Sequence, residues 1–142
     1  MSIPWNSYGT CGFQNLINIR NQHSVISSEF CKNYYGTWDN NFPMIRNLYS
    51  EESMISFLGN EFHSFDQVFD WVKSQGIFRF SHLNITGTSQ IINNNSILIN
   101  VTGTINIQGY YGSFNHYFVE TLIIRNGCNR WHITNSLFRL VD

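Results

Sequence analysis

Residues 118–142 read FVETLIIRNGCNRWHITNSLFRLVD, and this stretch decides the fold. Apolar runs at 118–124 and 131–140 flank Arg125-Asn126-Gly127-Cys128-Asn129. Asn-Gly accepts the positive backbone φ of a tight reversal, so the pattern predicts a long antiparallel hairpin. In its second arm Trp131, Ile133 and Leu137 share one face, while His132, Thr134 and Ser136 share the other. One side of that strand is therefore expected to be buried and the other at least partly wet.

Upstream of the hairpin, Ile97, Ile99, Val101, Gly103, Ile105 and Ile107 alternate with mostly polar partners, the clearest period of two in the chain. The Asn93-Asn94-Asn95 turn separates this strand from one predicted over 77–89, and Gly109-Tyr110-Tyr111-Gly112 forms a loop before the hairpin. Ahead of the strands the period changes. A helix is expected from Ser64, with Ser64 and Gln67 as a capping box, Phe65, Val68, Phe69 and Val72 as its apolar stripe, and Gly76 as its stop. Residues 53–57 and 60–62, joined by Leu58-Gly59, read as a small hairpin. Pro43 suits the first turn of a short helix reaching Tyr49, with Met44, Ile45 and Leu48 on its apolar face. The first helix spans 24–38, where Ile26, Phe30, Tyr34 and Trp38 recur every four residues. Residues 1–23 show no sustained period and read as an extension of a domain over 24–142. The fold class is α+β, with three N-terminal helices on one face of a strongly bent antiparallel sheet.

A chain of 142 residues is large enough to bury roughly 70% of its unfolded surface. Aromatic residues make up 16%, enough that some are expected to line a cavity or binding surface rather than core. Charged residues are only 12% and the net charge is −1, which excludes a global basic field for nucleic acid and a polybasic membrane patch. Cys11, Cys31 and Cys128 lack Cys-x-x-Cys spacing and read as free thiols of a reducing compartment. The N-terminus does not read as a signal peptide, and no apolar run approaches the ~18 residues of a membrane span. A cytoplasmic or nuclear location is expected. His23, His63, His82, His116 and His132 show no metal-ligand spacing, and the glycines form no phosphate-cradling run, so no metal or cofactor is expected.

Three groups of residues carry a resemblance to a known family. Glu29-Phe30-Cys31-Lys32-Asn33-Tyr34-Tyr35, Trp38-Asp39-Asn40-Asn41 and Leu48-Tyr49 resemble the opening of the nuclear transport factor 2 family. Phe57-Leu58-Gly59-Asn60-Glu61-Phe62 resembles its short hairpin. Val101-Thr102-Gly103, Phe118-Val119-Glu120-Thr121 and the stretch Trp131 to Arg139 are similar to its last three strands. The resemblance implies a cystatin-like cone and a homodimer formed through the open sheet face. It also implies recognition of Phe-Gly-type motifs, as in the transport carrier and the stress-granule scaffold branches. Matched position by position to the scaffold branch, the peptide site would use Phe30, Leu48 and Trp131, with Ile26 completing its wall.

Carrier function in this family also requires the GTPase Ran in its GDP form, held through carboxylates. The corresponding hairpin positions are Phe57 and Leu58, and the loop 106–115 has no acidic residue, so Ran binding is not expected unless Glu61 substitutes. The family's isomerases and dehydratases imply a different alternative, chemistry inside the cone, for which Tyr34 or Tyr35, His82, His116, Glu120 and His132 are the candidates. Tyr34, Glu120 and His132 head that set. Glu120, lying in an apolar strand, is expected to pair with an arginine or to face the subunit interface.

Overall fold

The computed structural model describes residues 3–127 and 130–141, with side chains from residue 22 onward. Helix α1 (Ile3–Asn40) leads to a 3-10 helix (Phe42–Leu48), strands β1 (Tyr49–Phe57) and β2 (Asn60–Phe62), and helix α2 (Phe65–Ser74). The strands β3 (Ile77–Asn93), β4 (Ser96–Gly109), β5 (Gly112–Asn126) and β6 (Trp131–Val141) follow. They form one six-stranded sheet in the order β2-β1-β6-β5-β4-β3. Every neighbouring pair is antiparallel except β1 and β6, which run parallel. The helices pack on this curled sheet as an α+β cone.

Several elements depart from the sequence reading. Helical backbone extends upstream of Ser24 to Ile3, passing through Gln22, which leaves helical geometry at φ −136° and ψ 17°. Pro4 falls in its first turn, where a missing N–H is no loss. The second helix is 3-10 rather than α and begins at Phe42. At the start of α2 the cap is shared differently from a standard box. Ser64 accepts from the Gln67 N–H, while Gln67 Oε1 accepts from the His63 N–H at 2.9 Å. Gly76, at φ +75°, follows the last turn as expected.

The terminal hairpin is present, its tip at Cys128-Asn129 lying outside the described residues, but the alternation along its second arm is not continuous. Ile123 faces Asn135 whereas Ile124 faces Ile133, so Thr134 is an extra residue on β6. Such a bulge reverses which side chains point inward beyond it. Ile133 is buried, then Ser136 and Phe138 are buried, and Leu137 is 58% exposed.

Aromatic rings fill the cone. Trp38 lies flat on Phe57 with centroids 5.5 Å apart and meets Phe80 edge-on at 5.0 Å. Phe57, Phe138 and Phe118 continue the stack across β1, β6 and β5, at 5.1 and 5.4 Å. Gly103 on β4 pairs with Phe118. A Cβ built there would stand 2.9 Å from the Leu83 carbonyl oxygen and 2.9 Å from the Phe118 ring. The β3 register shifts beside it, between Leu83 and Thr86. Glycine at this point lets an aromatic ring lie close over the strand. Gly103→Ala is therefore expected to lower stability by ~1–3 kcal/mol through overpacking. Urea unfolding would show a lower midpoint at unchanged slope; an unchanged midpoint would mean that Phe118 yields freely.

Candidate functional site

Most of the expected site residues fall in two regions: a corner where α1, the 3-10 helix and β6 converge, and a polar cluster inside the cone. At the corner, Ile26, Leu48 and Trp131 are half-buried against the core, and Phe30 is 9% exposed. The Arg130 guanidinium donates to the Asn47 carbonyl, which draws β6 onto the end of the 3-10 helix. Tyr49, the residue after Leu48, lies opposite Ile133 on β6. Phe30 stacks on Tyr34 with centroids 6.2 Å apart, and the Tyr34 and Tyr49 hydroxyls are 3.0 Å apart. These contacts bring together the elements that carry the expected peptide-site residues. Phe30 is nearly sealed, while Ile26, Leu48 and Trp131 keep accessible surface.

Beside this corner runs an open polar cleft that includes Arg46, Glu51, Glu52, Arg125, Arg130 and His132. Partial burial and the neighbouring Arg130 charge hold the His132 imidazole below its ordinary range. His132 is thus placed apart from Glu120 and does not complete the expected catalytic set.

At the short hairpin, Phe57 is buried between Trp38 and Phe138 and offers no free ring. Leu58 turns the chain at φ +52°, ahead of Gly59 at φ +84°, and its N–H donates to the Phe138 carbonyl at 3.1 Å. Glu61 is exposed on β2, opposite Ser56.

Glu120 differs most from expectation. Among the described residues it pairs with no arginine, and it does not face outward. Its carboxylate is buried in the cone, where Tyr35 donates to Oε1 at 2.8 Å and Tyr34 donates to Oε2 at 3.0 Å. A hydroxyl has one proton to give, so Tyr34, already donating to Glu120, accepts from Tyr49. Tyr49 in turn accepts from Ser136 at 3.1 Å. The network therefore runs in one direction, Ser136 to Tyr49 to Tyr34 to Glu120. Burial pushes the carboxyl up to about 7, although the hydrogen bonds from Tyr35 and Tyr34 pull it down. Burial, then the Glu120 charge, also raises all three tyrosines.

The structure thus unites Tyr34 and Glu120, adds Tyr35, and brings in Tyr49 and Ser136, which the sequence reading did not single out. The signal for Ser136 is hidden by the bulge at Thr134. Of the other candidates, His82 is held by Asp39, which accepts its backbone N–H at 2.9 Å and lies 2.6 Å from its Nδ1. Both Glu120 oxygens are occupied by tyrosine hydroxyls, so the arrangement is a helix-to-sheet clamp.

A family model described as the nuclear transport factor 2 (NTF2) domain matches residues 26–140. Nuclear transport factor 2 of Candida albicans is 28% identical over 118 residues, covering 82% of this chain and 94% of that protein. The solved nuclear transport factor 2 of Cryptosporidium parvum superimposes with a TM-score of 0.70 at 26% identity, covering 84% of this chain and 95% of that one. A ketosteroid isomerase-like protein from Erwinia carotovora atroseptica gives a TM-score of 0.72 at 9% identity, over 86% of this chain and 98% of that one, a likeness of fold alone.

The Glu120 clamp predicts a pH dependence. The folded carboxyl, raised from 4.5 to about 7, holds a proton that the unfolded chain has released across that window. This residue's contribution to stability is therefore largest below about pH 4.5 and falls as pH rises to about 7. Glu120→Gln removes that slope, so the wild-type-minus-variant unfolding free energy should fall between about pH 4.5 and about pH 7. Parallel urea profiles across that range would contradict the assignment.

Proposed function

Since the chain belongs to the nuclear transport factor 2 domain family, we propose that it is a non-enzymatic, homodimeric module that binds Phe-Gly-type motifs of other proteins in nucleocytoplasmic transport. The observation that carries the reading is the corner itself. Ile26, Leu48 and Trp131 keep apolar surface accessible where α1, the 3-10 helix and β6 meet, and Phe30, 9% exposed, lies on the same helix stripe as Ile26. A guest phenyl ring buried there gains roughly 2 kcal/mol before ordering costs, so each contact is weak and repeats act through avidity. The proposal includes neither Ran, direct nucleic-acid binding nor membrane attachment. Leu58 stands where the resemblance asks for a carboxylate, leaving Glu61 as the acid of that hairpin. Among the described residues no helix is long and apolar enough to cross a membrane. The proposed location is cytoplasmic and nuclear.

The dimer reading is supported by the outer sheet face. Leu83, Thr104, Tyr117 and Val141 pair in a row across β3, β4, β5 and β6, and their side chains share one side of the sheet. Leu83, Tyr117 and Val141 are exposed, as is Leu137. A row of exposed apolar side chains on a sheet face is the kind of surface that a second subunit covers.

Two measurements test this function. Calorimetric titration with a Phe-Gly repeat peptide should show weak saturable binding that Trp131→Ala reduces at least about tenfold, the scale of a truncated aromatic contact. Equal binding by both proteins would remove the corner as the site. Sedimentation at micromolar concentration should give twice the protomer mass, and Tyr117→Glu should halve it; a wild-type protein running as one protomer would contradict the dimer.

A further inference from the structure

A second concavity lies between α1 and the strands β3 and β4, with a volume of about 630 Å³. Such a volume lies within the ~300–1,000 Å³ range of small-molecule sites. None of Ile26, Phe30, Leu48 or Trp131 lines it, and neither Glu120 nor its tyrosines do. Its two walls differ in chemistry. The helix side presents mostly polar groups, Ser27, Ser28, Cys31 and Lys32 among them, and the sheet side mixes Ile85, Ile99 and Val101 with Thr88 and Ser89. His23 Nδ1 and Ser89 Oγ, 2.8 Å apart, tie the helix to β3 alongside it.

Ser27 supplies the observation that points to a ligand. The residue is 5% exposed, and its hydroxyl has no hydrogen-bond partner among the described residues. Buried hydroxyls are nearly always partnered, because leaving one unmet destabilises the fold. Here the residue lines a cavity, and a χ1 rotation would turn its hydroxyl, which has no accessible surface as it stands, toward an incoming group. Cys31 beside it is uncharged: burial, with Glu120 nearby, pushes its thiol up to about 12. Lys32 is exposed at the rim. Ser27 and Lys32 are five residues apart, ~7.5 Å along the helix axis and ~140° around it, so they meet the cavity from different sides of the helix.

We propose that this cavity binds a small amphipathic molecule whose flat apolar body lies against the exposed Ile85 on the sheet wall, with Ile99 and Val101 buried behind it. Its neutral hydroxyl or carbonyl meets Ser27 Oγ, and an anionic group at its other end meets Lys32. The site is a binding site without chemistry of its own, and it is independent of the peptide corner.

The probe is 6-hydroxy-2-naphthoate, which is fluorescent, flat and carries the two groups at opposite ends. Its emission should change saturably on titration with the full chain. 2-Naphthoate, lacking the hydroxyl, should bind roughly fivefold more weakly, and 2-naphthol, lacking the carboxylate, roughly tenfold more weakly. Ser27→Ala should erase the advantage of the hydroxyl while raising the Tm of the empty protein, since the orphan is gone; a merely structural serine would lower the Tm. Ser28→Trp, at an exposed position on the wall, should block all three probes while leaving the circular dichroism spectrum and Phe-Gly peptide binding intact. Lys32→Ala should weaken both carboxylates and spare 2-naphthol. No saturable change at millimolar probe, or binding that Ser27→Ala and Ser28→Trp both leave unchanged, overturns the proposal.

Discussion

The carboxylate of Glu120 must be met by donors inside the cone, and that requirement sets how α1 lies on the sheet. A buried carboxylate without partners would cost several kcal/mol, so the position of the helix is not free. Tyr34 and Tyr35 each take one oxygen. Being adjacent in sequence, they belong to different stripes of the helix. Ile26, Phe30, Tyr34 and Trp38 form one stripe at four-residue spacing, while Ser27, Cys31 and Tyr35 form the next. With both tyrosines fixed, the first stripe turns its upper end to the corner at Trp131, and the second turns Ser27 and Cys31 into the separate cavity. One polar contact on β5 thereby orients both candidate sites.

The interior beyond that contact is occupied. Trp38, Phe57, Phe80, Phe118 and Phe138 stack or meet edge-on across the space that a reacting small molecule would need. Binding surface is consequently left at the margins: the half-exposed residues at the start of β6, the outer sheet face, and the hollow under residues 23–32 of α1. The abundance of aromatic residues is thus divided between a filled core and a partly open edge, and the two uses are distinguished by exposure rather than residue type.

Much of this was legible from local patterns. The alternating isoleucines of β4, the cap at Ser64, the glycine stop at Gly76 and the four-residue stripe of α1 each arise from interactions within a few residues, which is why they can be read directly. The misreadings come from longer range or from one-residue insertions. Thr134 adds a residue to β6, so Ser136 goes in and Leu137 goes out although the pattern up to Ile133 says otherwise. Glu120 looked like an acid awaiting an arginine, because its donors lie 85 and 86 residues away and are tyrosines. The 3-10 geometry of Phe42–Leu48 and the upstream run of α1 carry no strong local signature. The residues proposed for the corner rest on family resemblance and the apolar stripe together; the orphaned hydroxyl of Ser27 has no sequence signal at all.

The central claim is that Glu120 fixes α1 so that Phe-containing peptides meet the corner at Trp131 and nothing else on the helix. Nitrogen-15 chemical-shift mapping during titration of a Phe-Gly peptide tests it most directly. The account predicts movement of the Trp131 indole N–H and of the Ile26, Phe30 and Leu48 amides, with Ser27, Cys31 and Ser89 undisturbed. Shifts that cluster around Ser27 and Ser89 instead, or none at millimolar peptide, would contradict it.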